Sequence, residues 1–116
     1  MSDIWGYQPT SGYIAGASLI GYKVEATDGS IGKVDRHSDE VGASYLVVDT
    51  GVWIFGKHVL LPAGTVSRID DAEEKIYVER TKAEIKDAPE FDMEKHLGDA
   101  GYHEQVGVYY GDWHRA

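Results

Sequence analysis

Gly21 to Arg36 reads GYKVEATDGSIGKVDR, a strand, a tight turn and a second strand. Tyr22, Val24 and Ala26 alternate with Lys23 and Glu25, the period-2 pattern of a strand with one buried and one wet face. Asp28-Gly29 supplies the turn, and a two-residue Asp-Gly connection suits type I′, in which both central residues need positive φ. After the turn the alternation slips, because Ile31 and Val34 are both apolar yet an odd number of positions apart. For both to point inward, an extra residue must be absorbed between the strands. Gly32 is the natural place for that bulge, since a missing Cβ permits the local bend that curls a short hairpin toward a barrel. Lys23, Glu25, Lys33 and Asp35 read as mutually balancing surface charges on the outer face.

Beyond the hairpin, Tyr45-Leu46-Val47-Val48 is a continuous run of β-forming residues, as expected of a central strand buried on both faces. Gly51 ends it, and Val52-Trp53-Ile54-Phe55-Gly56 follows as a short aromatic segment. Lys57 to Leu61 reads as another strand, closed by Pro62, which cannot donate to a ladder. Val66 to Ile69 and Lys75 to Arg80 form a second hairpin about the acidic turn Asp70-Asp71-Ala72-Glu73-Glu74. At Thr81 the period changes: Thr81 with Glu84 fits a capping box, so a short helix follows and ends before Pro89. DMEKHLGD, Asp92 to Asp99, reads as a helical piece stopped by Gly98, and the rest is an aromatic extension ending VGVYYGDWHRA.

The chain has 116 residues, one domain's worth, and contains no cysteine, which removes disulfides and thiolate chemistry. No apolar run approaches the roughly 18 residues of a membrane span, and MSDIWGYQPTSG lacks the basic start and apolar core of a signal peptide. These features give the expectation of a soluble, cytoplasmic protein. A formal charge of −9 opposes contact with a phosphate backbone, and the basic residues are dispersed in sequence, so direct nucleic-acid binding is not expected.

Taken together, GYKVEATDGSIGKVDR, the buried strand YLVVDT, the glycine-bounded WIFGKHVLLP and the paired VSRID and KIYVER resemble a PRC-barrel domain over about residues 19 to 90. The resemblance implies an all-β fold, a small antiparallel barrel with a short helix and a C-terminal extension. On that reading residues 1–18 are an aromatic N-terminal arm, 19–90 the barrel and 91–116 the extension. The family includes the cytoplasmic part of the photosynthetic reaction centre H subunit and a domain of a ribosome-maturation factor. Neither the membrane helix of the first nor the second domain of the other is read in these residues, so their functions are not carried over, and the family offers no catalytic residue to transfer. Its motifs speak of fold, not chemistry.

His37, His58, His96, His103 and His114 show no His-x-x-x-His spacing, so no metal ligand set is assigned; the tail residues His96, Asp99, His103, Asp112 and His114 converge only if the tail folds back. His37 with Asp39 and Glu40 reads as a polar loop after the second strand. There is no nucleophile elbow and no phosphate loop, and the acidic turn reads as solvated. Neither a catalytic residue nor a cofactor is therefore expected. Aromatic residues are the sharper signal. Trp5, Tyr7, Tyr13, Trp53, Phe55, Tyr109, Tyr110 and Trp113 are the candidate contacts for a protein partner or a second copy of the chain. The alternative for each is to plug or cover the chain's own core. The function expected is a non-enzymatic interaction or scaffold module, homodimeric. A ligand- or metal-binding sensor and a ribosome accessory factor acting through a protein partner stand as alternatives.

Overall fold

The computed structural model describes residues 4–7, 11–12, 18–38, 44–51, 58–88, 91 and 99–114, with side chains as far as Gly111. Its strands are β1 Lys23–Ala26, β2 Gly29–Ser38, β3 Tyr45–Asp49, β4 His58–Pro62, β5 Val66–Asp70 and β6 Lys75–Val78. A 3-10 turn, Ala63–Thr65, links β4 to β5, and two α-helices are described, α1 Lys82–Lys86 and α2 Ala100–His114. The strands form one sheet in the order β4-β3-β2-β1-β6-β5.

The β1–β2 hairpin is bulged, at Ile31 and so one residue ahead of the expected Gly32. Val24 faces Gly32 and Glu25 faces Ser30, leaving Ile31 as the extra residue. Ile31 and Val34 are consequently both buried. Gly32 has φ +151°, and a Cβ there would lie 2.0 Å from the Asp49 carbonyl oxygen, so β2 and β3 approach over a position where only glycine fits. A second bulge follows at Asp35, since Val34 faces Val48 and Arg36 faces Val47. The turn itself differs from the expected type I′. Ala26 pairs with Gly29, which puts Thr27-Asp28 at the tip, and the positive-φ non-glycine residue described is Glu74, not Asp28. Long-range bonds hold this tip in place of the local preference: Thr27 N–H donates to the Arg80 carbonyl at 2.9 Å, and the Asp28 carboxylate accepts the Lys82 N–H at 2.8 Å.

β3 is flanked by β2 and β4, and Leu46, Val47 and Val48 are all fully buried, as a strand covered on both faces requires. β5 and β6 form the second hairpin. The sheet departs from the wholly antiparallel arrangement expected of it, because β6 runs parallel to β1, with Val24 beside Ile76. β1 has only β2 on its other side, and β6 fills the remaining edge while keeping Ile76 and Val78 in the core. Hydrogen bonding runs in that order from β4 to β5, and among the described residues no ladder joins those two edges. Both edges are met by other chain: Phe91 bridges His58 on β4, and Ile69 N–H on β5 donates to the Ser11 carbonyl at 2.8 Å.

Helix α1 has the capping box read from its sequence. Glu84 N–H donates to Thr81 Oγ1 at 3.1 Å, and Thr81 N–H donates to Glu84 Oε1 at 3.0 Å. Ile85 carries the buried face, and the helix stops at Lys86, ahead of Pro89. Helix α2 is a correction to the sequence reading, which left Gly101 onward as an extension without secondary structure. Tyr102, Val106 and Tyr110, four residues apart, form its buried stripe. The Asp99 carboxylate accepts the N–H of Gly101 at 2.9 Å, capping the first turn. Gly101, Gly107 and Gly111 lower the helix propensity of this segment, and packing of the stripe outweighs them.

The register also revises the charge reading of the outer face. Asp49 faces Lys33, Lys33 faces Lys23, Lys23 faces Lys75 and Lys75 faces Asp70. Lys23 therefore stands between two lysines rather than opposite an acid.

Candidate functional site

Residues 4–7 of the N-terminal arm lie against one side of the core. Ile4 C=O accepts the Gly64 N–H at 2.7 Å, and Trp5 C=O accepts the Ser44 N–H at 2.9 Å. The Trp5 indole stacks on His103 with centroids 5.3 Å apart and meets Tyr45 edge-on at 6.5 Å. A Cβ on Gly107 would lie 2.8 Å from the indole nitrogen, so the bare backbone of α2 at that point is the seat of the ring. Trp5 and Tyr7 are both half-buried and pack against the core.

Tyr109 and Tyr110 join the same helix to the rest of the molecule. The Tyr109 hydroxyl donates to the Glu84 carbonyl at 2.6 Å, tying α2 to α1. Its ring stands perpendicular to Tyr110 at 5.0 Å. Tyr110 is 0% exposed, and burial pushes its phenol pKa well up. Its carbonyl accepts from Arg80 Nη2 at 3.0 Å, which places a buried cation near the C-terminal end of α2, the favourable end for positive charge. Of the candidate contacts, then, Trp5, Tyr109 and Tyr110 gather on α2, Tyr110 facing inward. Tyr13, Trp53, Phe55 and the side chain of Trp113 lie outside the described residues.

The sequence reading missed the partners of these rings. Tyr45, Tyr102 and His103 complete an aromatic cluster with Trp5, and Phe91 packs on Tyr102 at 5.6 Å. The spacing of Tyr102, Val106 and Tyr110 is the signal that points to it, a helical stripe from which His103 follows on the flank. His103 Nε2 is buried without a hydrogen-bond partner among the described residues. Burial lowers its pKa below the ordinary 6.5, with the Asp99 charge pulling the other way. Among the described residues no group of three His, Asp or Glu side chains is arranged to hold a metal ion; His96 and the side chains of Asp112 and His114 are not among them. His37 lies within β2 rather than in a loop, and its Nε2 accepts the Leu19 N–H at 3.2 Å.

The acidic turn is exposed, as expected. Asp71 accepts the Tyr22 hydroxyl at 2.9 Å, a bond that raises the Tyr22 phenol pKa together with burial and the nearby carboxylate charge. Two surface features remain. Among the described residues Ile20 and Val108 are the exposed large hydrophobic side chains, at 60% and 59%. An open groove of about 410 Å³ lies where the β2 bulge meets the end of β3, lined by Ser30, Ile31, Gly32, Lys33, Asp49 and Thr50. Among the described residues no helix is long and apolar enough to cross a membrane. A scan against protein-family models and a search of curated proteins both found no match to this chain.

Proposed function

We propose that the chain is a protein-interaction module built on a PRC-type barrel, without a catalytic role, which self-associates along the outer side of α2 and the aromatic arm seated there. The observation that carries this reading is the setting of Val108. It is 59% exposed, beside Gly107, on which Trp5 sits, and next to the half-buried Tyr109. An exposed aliphatic group next to a half-covered aromatic ring is the apolar part of an interface centre, and the exposed Glu104 and Gln105 one turn earlier on α2 supply its polar rim. The bulged first hairpin, the buried β3 and the capped α1 support the PRC-type assignment. Light scattering on the full chain and on Val108→Glu tests the surface. Dimeric wild type and monomeric Val108→Glu, with matching circular dichroism, are the expected results. A dimer that survives Val108→Glu places the contact elsewhere, and a monomeric wild type removes self-association.

The groove beside the β2 bulge favours a second reading, a ligand-binding module. Its volume is within the range of small-ligand sites, while its openness favours a chain lying across it over an enclosed molecule.

A further inference from the structure

We infer that the rim of the sheet carrying Lys33, Lys23 and Lys75 is a docking strip for an extended acidic segment of a protein partner, with an apolar side chain of that segment seated in the groove over Gly32. The inference rests on the interaction-module reading and adds the chemistry of the partner.

The strip is a product of register. Lys33, Lys23 and Lys75 occupy one row across β2, β1 and β6, bounded by Asp49 on β3 and Asp70 on β5. Adjacent strands are about 4.8 Å apart, so the three stems rise within roughly 10 Å of one another. Lys23 and Lys33 are exposed and Lys75 is half-buried. Among the described residues none of the three is ion-paired. Like charges directly opposite on neighbouring strands are destabilising. In a chain with eleven basic residues against twenty acidic ones, three lysines stand face to face here, with Asp49 and Asp70 at the ends of the row and Glu74 beside Lys23, whose N–H donates to the Glu74 carbonyl. A sequence optimised for the fold alone would set an acid between them.

The groove adjoins this row, because Lys33 and Asp49 belong to both. Ile31 is 1% exposed at its base, and the close approach of the β3 backbone at Asp49 and Thr50 over Gly32 forms one wall. A line of flexible ammonium groups on separate strands, open along its length, matches carboxylates spaced along a chain. A compact oxyanion is held instead by converging or forked donors. The net charge of −9 slows approach of an acidic partner, but beyond about 8 Å at physiological salt the remaining charges are largely screened. Affinity for the strip is therefore expected to fall as salt rises.

The test uses the full chain and a fluorescein-labelled octapeptide of glutamates with one central leucine, read by anisotropy. Wild type is expected to bind it. Lys23→Gln, Lys33→Gln and Lys75→Gln are each expected to weaken binding about two- to fivefold, and the triple variant to lose it. Lys86→Gln makes the same change in net charge on exposed α1, away from the row, and is expected to leave binding unchanged. Thermal melts of the same variants keep the result interpretable, since removing a like-charged neighbour raises the melting temperature while binding is lost. The inference is overturned by absence of binding, by equal losses in Lys86→Gln and Lys23→Gln, or by displacement of the peptide by inorganic triphosphate at equal concentration. Light scattering on the same samples separates it from the reading beneath it. A dimer that ignores the peptide removes the strip alone, and a monomer that binds the peptide removes self-association alone.

Discussion

Gly32 is the residue on which the molecule turns. Its φ of +151° and the 2.0 Å that would separate a Cβ from the Asp49 carbonyl act together, one on the backbone of β2 and the other on its distance from β3. Gly32→Ala should destabilise the protein by about 3 kcal/mol or more, seen as a large fall in the urea midpoint. Gly51, at φ +58° with open space around it, separates strain from crowding: Gly51→Ala should cost about 1 kcal/mol. His103 makes a second claim at this scale. Its pKa is lowered in the folded chain by burial, so below the ordinary 6.5 the unfolded chain takes up the proton first. The stabilising contribution of neutral His103 is complete above that value and is lost as pH falls through the lowered folded pKa. Urea midpoints at about pH 7.5 and about pH 5.5 should differ less in His103→Phe than in wild type, the other histidines forming a common background. An equal difference in both proteins would contradict the assignment.

At the scale of elements, features written in one strand or one helix cap were legible, and features that depend on distant segments were not. The bulge left its mark in the spacing of Ile31 and Val34, and the capping box in Thr81 and Glu84. Thr81→Ala should cost about 1 kcal/mol, measured by chemical denaturation, because it removes the acceptor of the Glu84 N–H at the start of a five-residue helix. The parallel β1–β6 pair has no local signature, since Lys23 and Lys75 meet only when distant segments align. The lysine row was hidden for the same reason, dispersed in sequence and contiguous in the sheet. Lys23, with a lysine on either side, is the position where relief of repulsion is greatest: Lys23→Gln should stabilise by about 0.5 kcal/mol in a thermal melt. The type I′ turn failed because Thr27 and Asp28 are held by Arg80 and Lys82 from across the fold. Helix α2 was obscured by its glycines, though Tyr102, Val106 and Tyr110 carried the period; the aromatic cluster around Trp5 and His103 depended on seeing that helix.

At the scale of the whole molecule, the aromatic residues outside the strands divide between structure and surface. Tyr110 and Tyr102 close the core under α2, while Trp5 and Tyr109 brace the arm and α1 against that helix and remain half-covered. The same helix presents Val108 outward, and the opposed charges of the sheet rim lie on a different set of elements, β1, β2 and β6. Two surfaces of different chemistry, one apolar on α2 and one a lysine row on the sheet, fit a protein that works by contact. The central claim is association, and sedimentation of the full chain over a wide concentration range tests it most directly. The account predicts a mass that rises with concentration toward twice the 12.8 kDa of the chain. A mass that stays at 12.8 kDa up to the limit of solubility would contradict it.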